Sequence, residues 1–261
     1  MAVQSQSPIS VSMIAGNEAP RIGRALESAS GWTAELVVVL NQDVNDGTDR
    51  IAAGLGARVF REPWKGHIAQ KNSAAQKAAH EWILGLDADE VISPELRREI
   101  LELFARPEHL RDFAAFSFPR RTFYCGRWIR HGDWYPDRQI RLWRRGFAEW
   151  GGVDPHDRLL VRGRIGQLKS DLHHFTNDSI NAHIHKIIPF TDEFVRQHAP
   201  GAAGSLISGL MIRPVWRFVR AYFFRLGFLD GWQGLFIAWL NAFSTASKYA
   251  KLLEKEGRSS Q

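Results

Sequence analysis

Residues Glu81-Trp82-Ile83-Leu84-Gly85-Leu86-Asp87-Ala88-Asp89-Glu90-Val91-Ile92 decide how the rest of the chain is read. An apolar run, Trp82 to Leu86, stops abruptly at three carboxylates, Asp87, Asp89 and Glu90. The run is short enough for a buried strand, and acids do not stay unpaired where such a strand ends. An Asp-x-Asp at a strand's C-terminal tip points two acids, at period-two spacing, into the crevice where open α/β sheets hold ligands. Hard carboxylate oxygens there suit Mg²⁺ or Mn²⁺, which in turn would neutralise a diphosphate. Taken alone, Asp87 and Asp89 equally suit a solvated loop that caps the helix beginning near Pro94. The flanking sequence has to decide.

Upstream, Ile9 to Ile14 alternates apolar and small polar residues and reads as a first strand. Gly16 to Pro20 breaks it, and a helix from Arg21 to Ala29 carries Ile22, Ala25, Leu26 and Ala29 on one face. Leu36 to Leu40 is a continuous apolar run of the kind that fills a parallel strand buried on both faces. A polar loop, Asn41 to Thr48, leads to a helix over Asp49 to Leu55 and a short strand over Ala57 to Phe60. An Ala-rich helix over Gly66 to His80 then feeds the strand Trp82 to Leu86. This alternation predicts an α/β fold with a right-handed, doubly wound, mostly parallel sheet. The strands end in Asn17 and Glu18, in Asn41 to Asp46, and in Asp87 to Glu90, and these tips converge on one crevice. Together they favour a phosphate-bearing ligand. Neither a dinucleotide fingerprint nor a phosphate-binding Gly-x-x-x-x-Gly-Lys loop is present, so those two classes are excluded.

The composition, 44% hydrophobic and 24% charged over 261 residues, is that of globular material with a sizeable core. A single cysteine, Cys125, excludes an internal disulfide framework and fits a reducing compartment. No secretory leader and no membrane-spanning run of roughly 20 apolar residues is expected. The net charge of +6 invites a polyanionic partner, whether nucleic acid, an anionic membrane or a phosphate-bearing substrate.

Further motifs narrow that choice. Asn17-Glu18, Asp46-Gly47-Thr48, Gln70-Lys71-Asn72 and Leu86-Asp87-Ala88-Asp89-Glu90 together resemble family 2 glycosyltransferases of the GT-A fold. Arg120-Arg121, Gly126 to Gly132, Trp134-Tyr135-Pro136-Asp137, Gln139 to Arg145 and Gly227 to Gly234 are similar to the bacterial lipopolysaccharide core β-1,4-glucosyltransferase subgroup. The resemblance covers roughly residues 9 to 255. It implies an inverting transfer of a hexose, glucose from UDP-glucose, to an inner-core sugar. It places Glu18, Asn41, Asp46, Lys71 and Asp87 on the nucleotide-sugar, and Asp89 on a Mg²⁺ or Mn²⁺ ion that a late histidine, His173, could complete. Asn41 stands where many relatives carry an aspartate facing uracil. Its amide can still accept a hydrogen bond, without the charge.

An inverting transfer needs a carboxylate to take the acceptor's proton. Asp137, after Trp134-Tyr135-Pro136, is the expected base, with Asp133 and then Asp157 as competitors. Arg120, Arg127, Arg130 and Arg141 suit oxyanion recognition on the acceptor, and Trp134 and Tyr135 suit stacking on a sugar. His183 and His185 read as helix surface. From Ile180 the chain turns helical, with Ile184, Ile187, Ile188, Phe190 and Phe194 as core candidates. Helices rich in Trp and Phe with interspersed Arg then read as lying on a membrane surface, or as an appendage packed on the catalytic domain. The expected organisation is a disordered lead (1–7), a catalytic domain (8–178) and a helical, amphipathic C-terminal region (179–261). The expected protein is peripheral on the cytoplasmic face of the inner membrane. Its expected partners are a nucleotide-sugar, a phosphorylated lipid-linked saccharide and the membrane surface, but not nucleic acid. Transfer to a polyprenyl phosphate or a protein, or non-catalytic binding of an anion or nucleic acid, are the rival readings.

Overall fold

The computed structural model describes residues 6–153, 156–177, 179–198 and 203–259. The chain divides into two compact units, Met1–Arg120 with Arg138–His174, and Arg121–Asp137 with Phe175–Gln261. The first part of the chain supplies β1 (Ser7–Ala15), α1 (Ala19–Ala29), β2 (Thr33–Asn41), α2 (Thr48–Gly54), β3 (Arg58–Glu62), α3 (His67–Lys77) and β4 (Trp82–Gly85). There follow β5 (Glu90–Ile92), α4 (Pro94–Phe104), α5 (Pro107–Arg111), β6 (Ala115–Tyr124), β7 (Arg127–Trp128) and β8 (Asp137–Arg144). The strands end with β9 (Ala148–Val153), β10 (His156–Val161), β11 (Ile165–Gln167) and β12 (Leu172–Asn177). Three helices close the chain, α6 (Ile180–Gln197), α7 (Ala203–Val219) and α8 (Gly231–Ser259). A π-helical turn, Arg220–Phe224, and a 3₁₀ turn, Gly227–Asp230, join α7 to α8.

The main sheet runs β3-β2-β1-β4-β8-β6-β12-β5. β1 lies parallel to β2 and β4, and β2 parallel to β3, which is the expected doubly wound half. Leu36 to Leu40 is buried along its whole length, and α1 buries Ile22, Ala25, Leu26 and Ala29, as the sequence pattern requires. Beyond β4 the sheet becomes mixed, because β8 joins β4 antiparallel through Ile83↔Trp143. In the second half only the strand at the start of β6 showed in the sequence, because the antiparallel pairings there join segments far apart in the chain. The helix expected over Gly66 to His80 stops at Lys77. Ala79 N there donates to Glu35 Oε2 (2.7 Å) and His80 N to Ser10 Oγ (3.0 Å), so side chains take backbone groups that another helical turn would have used.

Several expectations change. Ser7, assigned to a disordered lead, opens β1 and donates its N–H to the Trp32 carbonyl at 2.8 Å. Residues 1–5 of that lead, and Asp154 and Pro155, lie outside the described residues. Residues 121–137, expected within the catalytic domain, group with the C-terminal helices. That second unit has a small core of Tyr124, Ile129 and Ile237 with Trp134 and Phe236 against it. Of the expected α6 core, Ile187 is buried while Ile184, Ile188 and Phe190 are exposed. His183 turns inward instead, its Nδ1 3.0 Å from the Tyr124 hydroxyl. Burial, and then Lys186, lower its pKa to about 4. Among the described residues no helix is long and apolar enough to cross a membrane.

Candidate active site

The site grows out of the end of β4. Leu86 N extends the ladder by one bond, donating to Ser12 O at 3.1 Å, before the chain turns. Gly85 is required by close approach: a Cβ there would stand 3.0 Å from the Trp143 ring and 3.3 Å from Trp150. The Asp87–Glu90 turn closes on itself. Glu90 N donates to Asp87 O (2.9 Å), and Asp87 N donates to Glu90 Oε2 (3.0 Å). Glu90 then enters β5, fully buried.

Three cations answer these acids. Arg141, from β8, is only 4% exposed; it donates to Asp87 Oδ2 and to Glu90 Oε1 at 2.7 Å. Arg120 Nη1 reaches the same Glu90 oxygen at 3.1 Å. Lys71, from α3, stands between Asp87 Oδ1 (3.1 Å) and Asp157 Oδ2 (2.9 Å), with its ammonium 4.5 Å from the Trp150 ring centre. Burial alone would raise the Asp87 pKa, but Arg141 and Lys71 outweigh it and hold the carboxyl far below the usual range. Asp89 is pulled the same way, burial raising it and His174 and Arg120 together lowering it below the usual range.

His174 is where the structure differs from the sequence reading of a late histidine. β12 runs antiparallel to β5 and sets His174 opposite Glu90 and His173 opposite Val91. Side chains alternate along a strand, so only one of the two histidines can face the acids. His174 Nε2 lies 3.4 Å from Asp89 Oδ2, while His173 stands on the other face of the strand. Among the described residues no three His, Cys, Asp or Glu side chains converge as a cage. Asp89 and His174 offer one hard oxygen and one imidazole, a set that suits Mg²⁺ or Mn²⁺ shared with substrate phosphates.

The neighbouring tips are tied differently. Asp46 accepts from Ala19 N (3.0 Å), from Thr48 N (3.0 Å) and from the Thr48 hydroxyl. The Thr48 hydroxyl and the Ala19 N–H hold its carboxyl below the usual range. Thr48 Oγ1 also accepts from Glu18 N at 2.9 Å, so Asp46 and Thr48 staple the two loops together. Glu18 itself remains part-exposed, 3.8 Å from Arg21. Asn41 keeps Oδ1 buried without a hydrogen-bond partner, and so do both amide atoms of the fully buried Gln70. Unmade bonds on buried amides are costly. A ligand group at these tips would satisfy the Asn41 acceptor.

Arg127, Arg130, Trp134, Tyr135 and Asp137 belong to the second unit. There Arg127 donates to Leu229 O (2.9 Å), and buried Asp230 accepts from Arg130 N (3.0 Å) and His131 N (2.8 Å). Trp134 meets Tyr124 edge-on at 5.3 Å. Asp133, the competing base, is 6% exposed and paired with Arg217, Arg220 and Arg225, which hold it as a buried counter-ion. Arg141, expected on an acceptor surface, is buried beneath the acids, and Arg120 is engaged with Glu90 beside it. Sequence reasoning placed Glu90 at the strand tip without its buried pairing to Arg141, and missed Trp150 and His174 as parts of this cluster. Only His174 left a signal, in the parity of two adjacent histidines on a strand.

Residues 10–165 match the model of a family described as glycosyl transferase family 2. An uncharacterized glycosyltransferase of Rickettsia typhi is 30% identical over 94% of this chain and 87% of its own. The lipopolysaccharide core biosynthesis glycosyltransferase LpsC of Rhizobium meliloti is 26% identical over 93% of each. A crystal structure of S. aureus TarS in complex with UDP-GlcNAc aligns over 96% of this chain and 92% of that one, at 15% identity and a TM-score of 0.49.

Proposed function

The chain belongs to glycosyl transferase family 2; on that premise we propose an inverting transfer of glucose from UDP-glucose to a lipopolysaccharide core sugar. The observation that carries the reading is the acid–cation cluster at the tip of β4, where three carboxylates, Asp87, Glu90 and Asp157, face three cations, Lys71, Arg120 and Arg141, with Asp89 beside them against His174. The acceptor class is supported by the likeness to LpsC along nearly the whole of both chains.

In this reading Asn41 Oδ1 accepts from the uracil ring, using the acceptor left unpaired among the protein's own groups. Asp87, fixed by Arg141 and Lys71, lies at the ribose. Glu18 lines the same crevice, and Asp46 acts through the loops that it ties. Asp89 and His174 would hold Mg²⁺ or Mn²⁺, which when bound neutralises the diphosphate leaving group. His174 replaces His173 in that role. Asp137, the first residue of β8, takes the acceptor hydroxyl's proton. Arg127 and Arg130, with Tyr135 and the partly packed Trp134, meet a phosphorylated, lipid-linked acceptor. The enzyme works peripherally, at the cytoplasmic face of the inner membrane.

Calorimetric titration with UDP, with and without Mn²⁺, tests the donor half. Binding should require the metal, and Asp89→Ala should weaken it by roughly tenfold to a hundredfold. Absence of UDP binding under every metal condition would sink the reading. Transfer from UDP-glucose to isolated core oligosaccharide, lost in Asp137→Asn with UDP binding intact, tests the rest.

A further inference from the structure

The second unit carries an unassigned cleft of about 420 Å³. Arg213, Arg217, Arg220 and Lys248 line it, together with Trp216 and Tyr249. Its cations are poorly compensated. Asp133 serves Arg217 (3.5 Å) and Arg220 (3.0 Å) but is shared with Arg225 (3.3 Å). Arg213 finds the Tyr249 hydroxyl, a neutral partner, and Lys248 lies 4.7 Å from the Phe194 ring centre. Burial, and then Arg217, lower the Lys248 pKa. One carboxylate cannot neutralise four cations.

Beside the cleft the helices expose an apolar surface. Ile207, Met211 and Val215, at four-residue spacing, form a stripe on α7, with Ile212 and Trp216 alongside it, all more than half exposed. Trp232, Leu235, Trp239 and Phe243 form a second stripe on α8, and the turn between the helices adds Phe223, Phe224, Phe228 and Leu229. Trp216 belongs to both features: it lines the cleft and is 55% exposed. Tryptophan at a boundary between apolar and charged surface is the pattern of the lipid headgroup zone.

We infer that this cleft seats the phosphate of an anionic phospholipid while the exposed stripes of α7 and α8 lie in the acyl boundary of the bilayer. The inference rests on the proposed reading only in placing the acceptor at a lipid surface. A symmetric second copy is the poorer occupant, because an isologous contact sets the same patch against itself and brings the two cation clusters together. A lipid surface supplies the missing anion and covers the apolar stripes at once.

Sedimentation of the full chain with phosphatidylcholine vesicles, with and without phosphatidylglycerol, tests this. Binding should need the anionic lipid and fall with salt. Arg213→Gln with Lys248→Gln, neither in contact with Asp133, should weaken it by about tenfold or more. Met211→Asn with Ile212→Asn should weaken it independently, and both double variants should bind UDP as the parent does. Equal binding to both vesicle types, or unchanged binding by the charge variant, overturns the inference. So does a lipid-free dimer that the apolar variant dissociates. Calorimetric binding of inorganic phosphate, with no preference for anionic vesicles, would assign the cleft to a free phosphate and refute the lipid. Vesicle binding without UDP binding would count against the transferase reading alone, and UDP binding without vesicle binding against this inference alone.

Discussion

The two units of this chain handle polarity in opposite ways. The first buries charge: Glu90 and Arg141 are almost without solvent contact and satisfy one another beneath Asp87 and Asp89. The second exposes apolar surface: of the 24 large hydrophobic side chains exposed among the described residues, 18 lie between Ile180 and Phe243. A buried ion cluster costs desolvation and returns fixed geometry, which suits a site that must hold a nucleotide and a diphosphate in register. An exposed apolar face adds nothing to folding and keeps its free energy for a partner.

The comparison breaks first if the buried cluster is not structural. Glu90→Leu removes one of the two carboxylates of buried Arg141 and strands the Asp87 N–H, and should destabilise the first unit by about 3–5 kcal/mol in urea unfolding. A change under 1 kcal/mol would mean that solvent reaches the cluster. Gly85→Ala, which drives a methyl into Trp143 and Trp150, should cost about 1–3 kcal/mol and show as a lower unfolding midpoint. His183 probes the second unit's small core through pH. Its folded pKa is depressed to about 4, below the unfolded value near 6.5. Its contribution is therefore whole above that unfolded value and is lost as pH falls from there through 4. Thermal melts of the parent should lose stability across that window more steeply than those of His183→Asn. The smallest effect should come from the exposed face: Met211→Gln should leave folding stability within about 0.5 kcal/mol. A large loss there would show that the stripe is core.

Much of the site was legible before any coordinates. Asp87 and Asp89 stand at a strand tip because an apolar run followed at once by acids has few other places to go. Lys71 joins them from the helix that feeds that strand. Arg141 was misplaced because Arg138, Arg141 and Arg144 recur along its strand and read as an exposed anion-binding face. Only the pairing with β4 makes β8 a central strand, with Arg141, Leu142 and Trp143 buried in succession. His183 was misplaced because a lone polar residue on an amphipathic helix gives no sign of the hydroxyl waiting at Tyr124. Asp133 looked available as a base because three arginines of the C-terminal helix and turn, more than 80 residues away in sequence, leave no local trace beside it.

By itself, then, the sequence determined the parallel α/β half, the acid-tipped strand at its centre and the family. Those depend on local periodicity and on residues close together along the chain. Tertiary structure alone decided which charges are buried, which histidine faces Asp89, and that residues 121–137 join the C-terminal helices. Each of these follows from strand parity or from pairing between distant segments, and neither is encoded in the neighbourhood of the residue concerned.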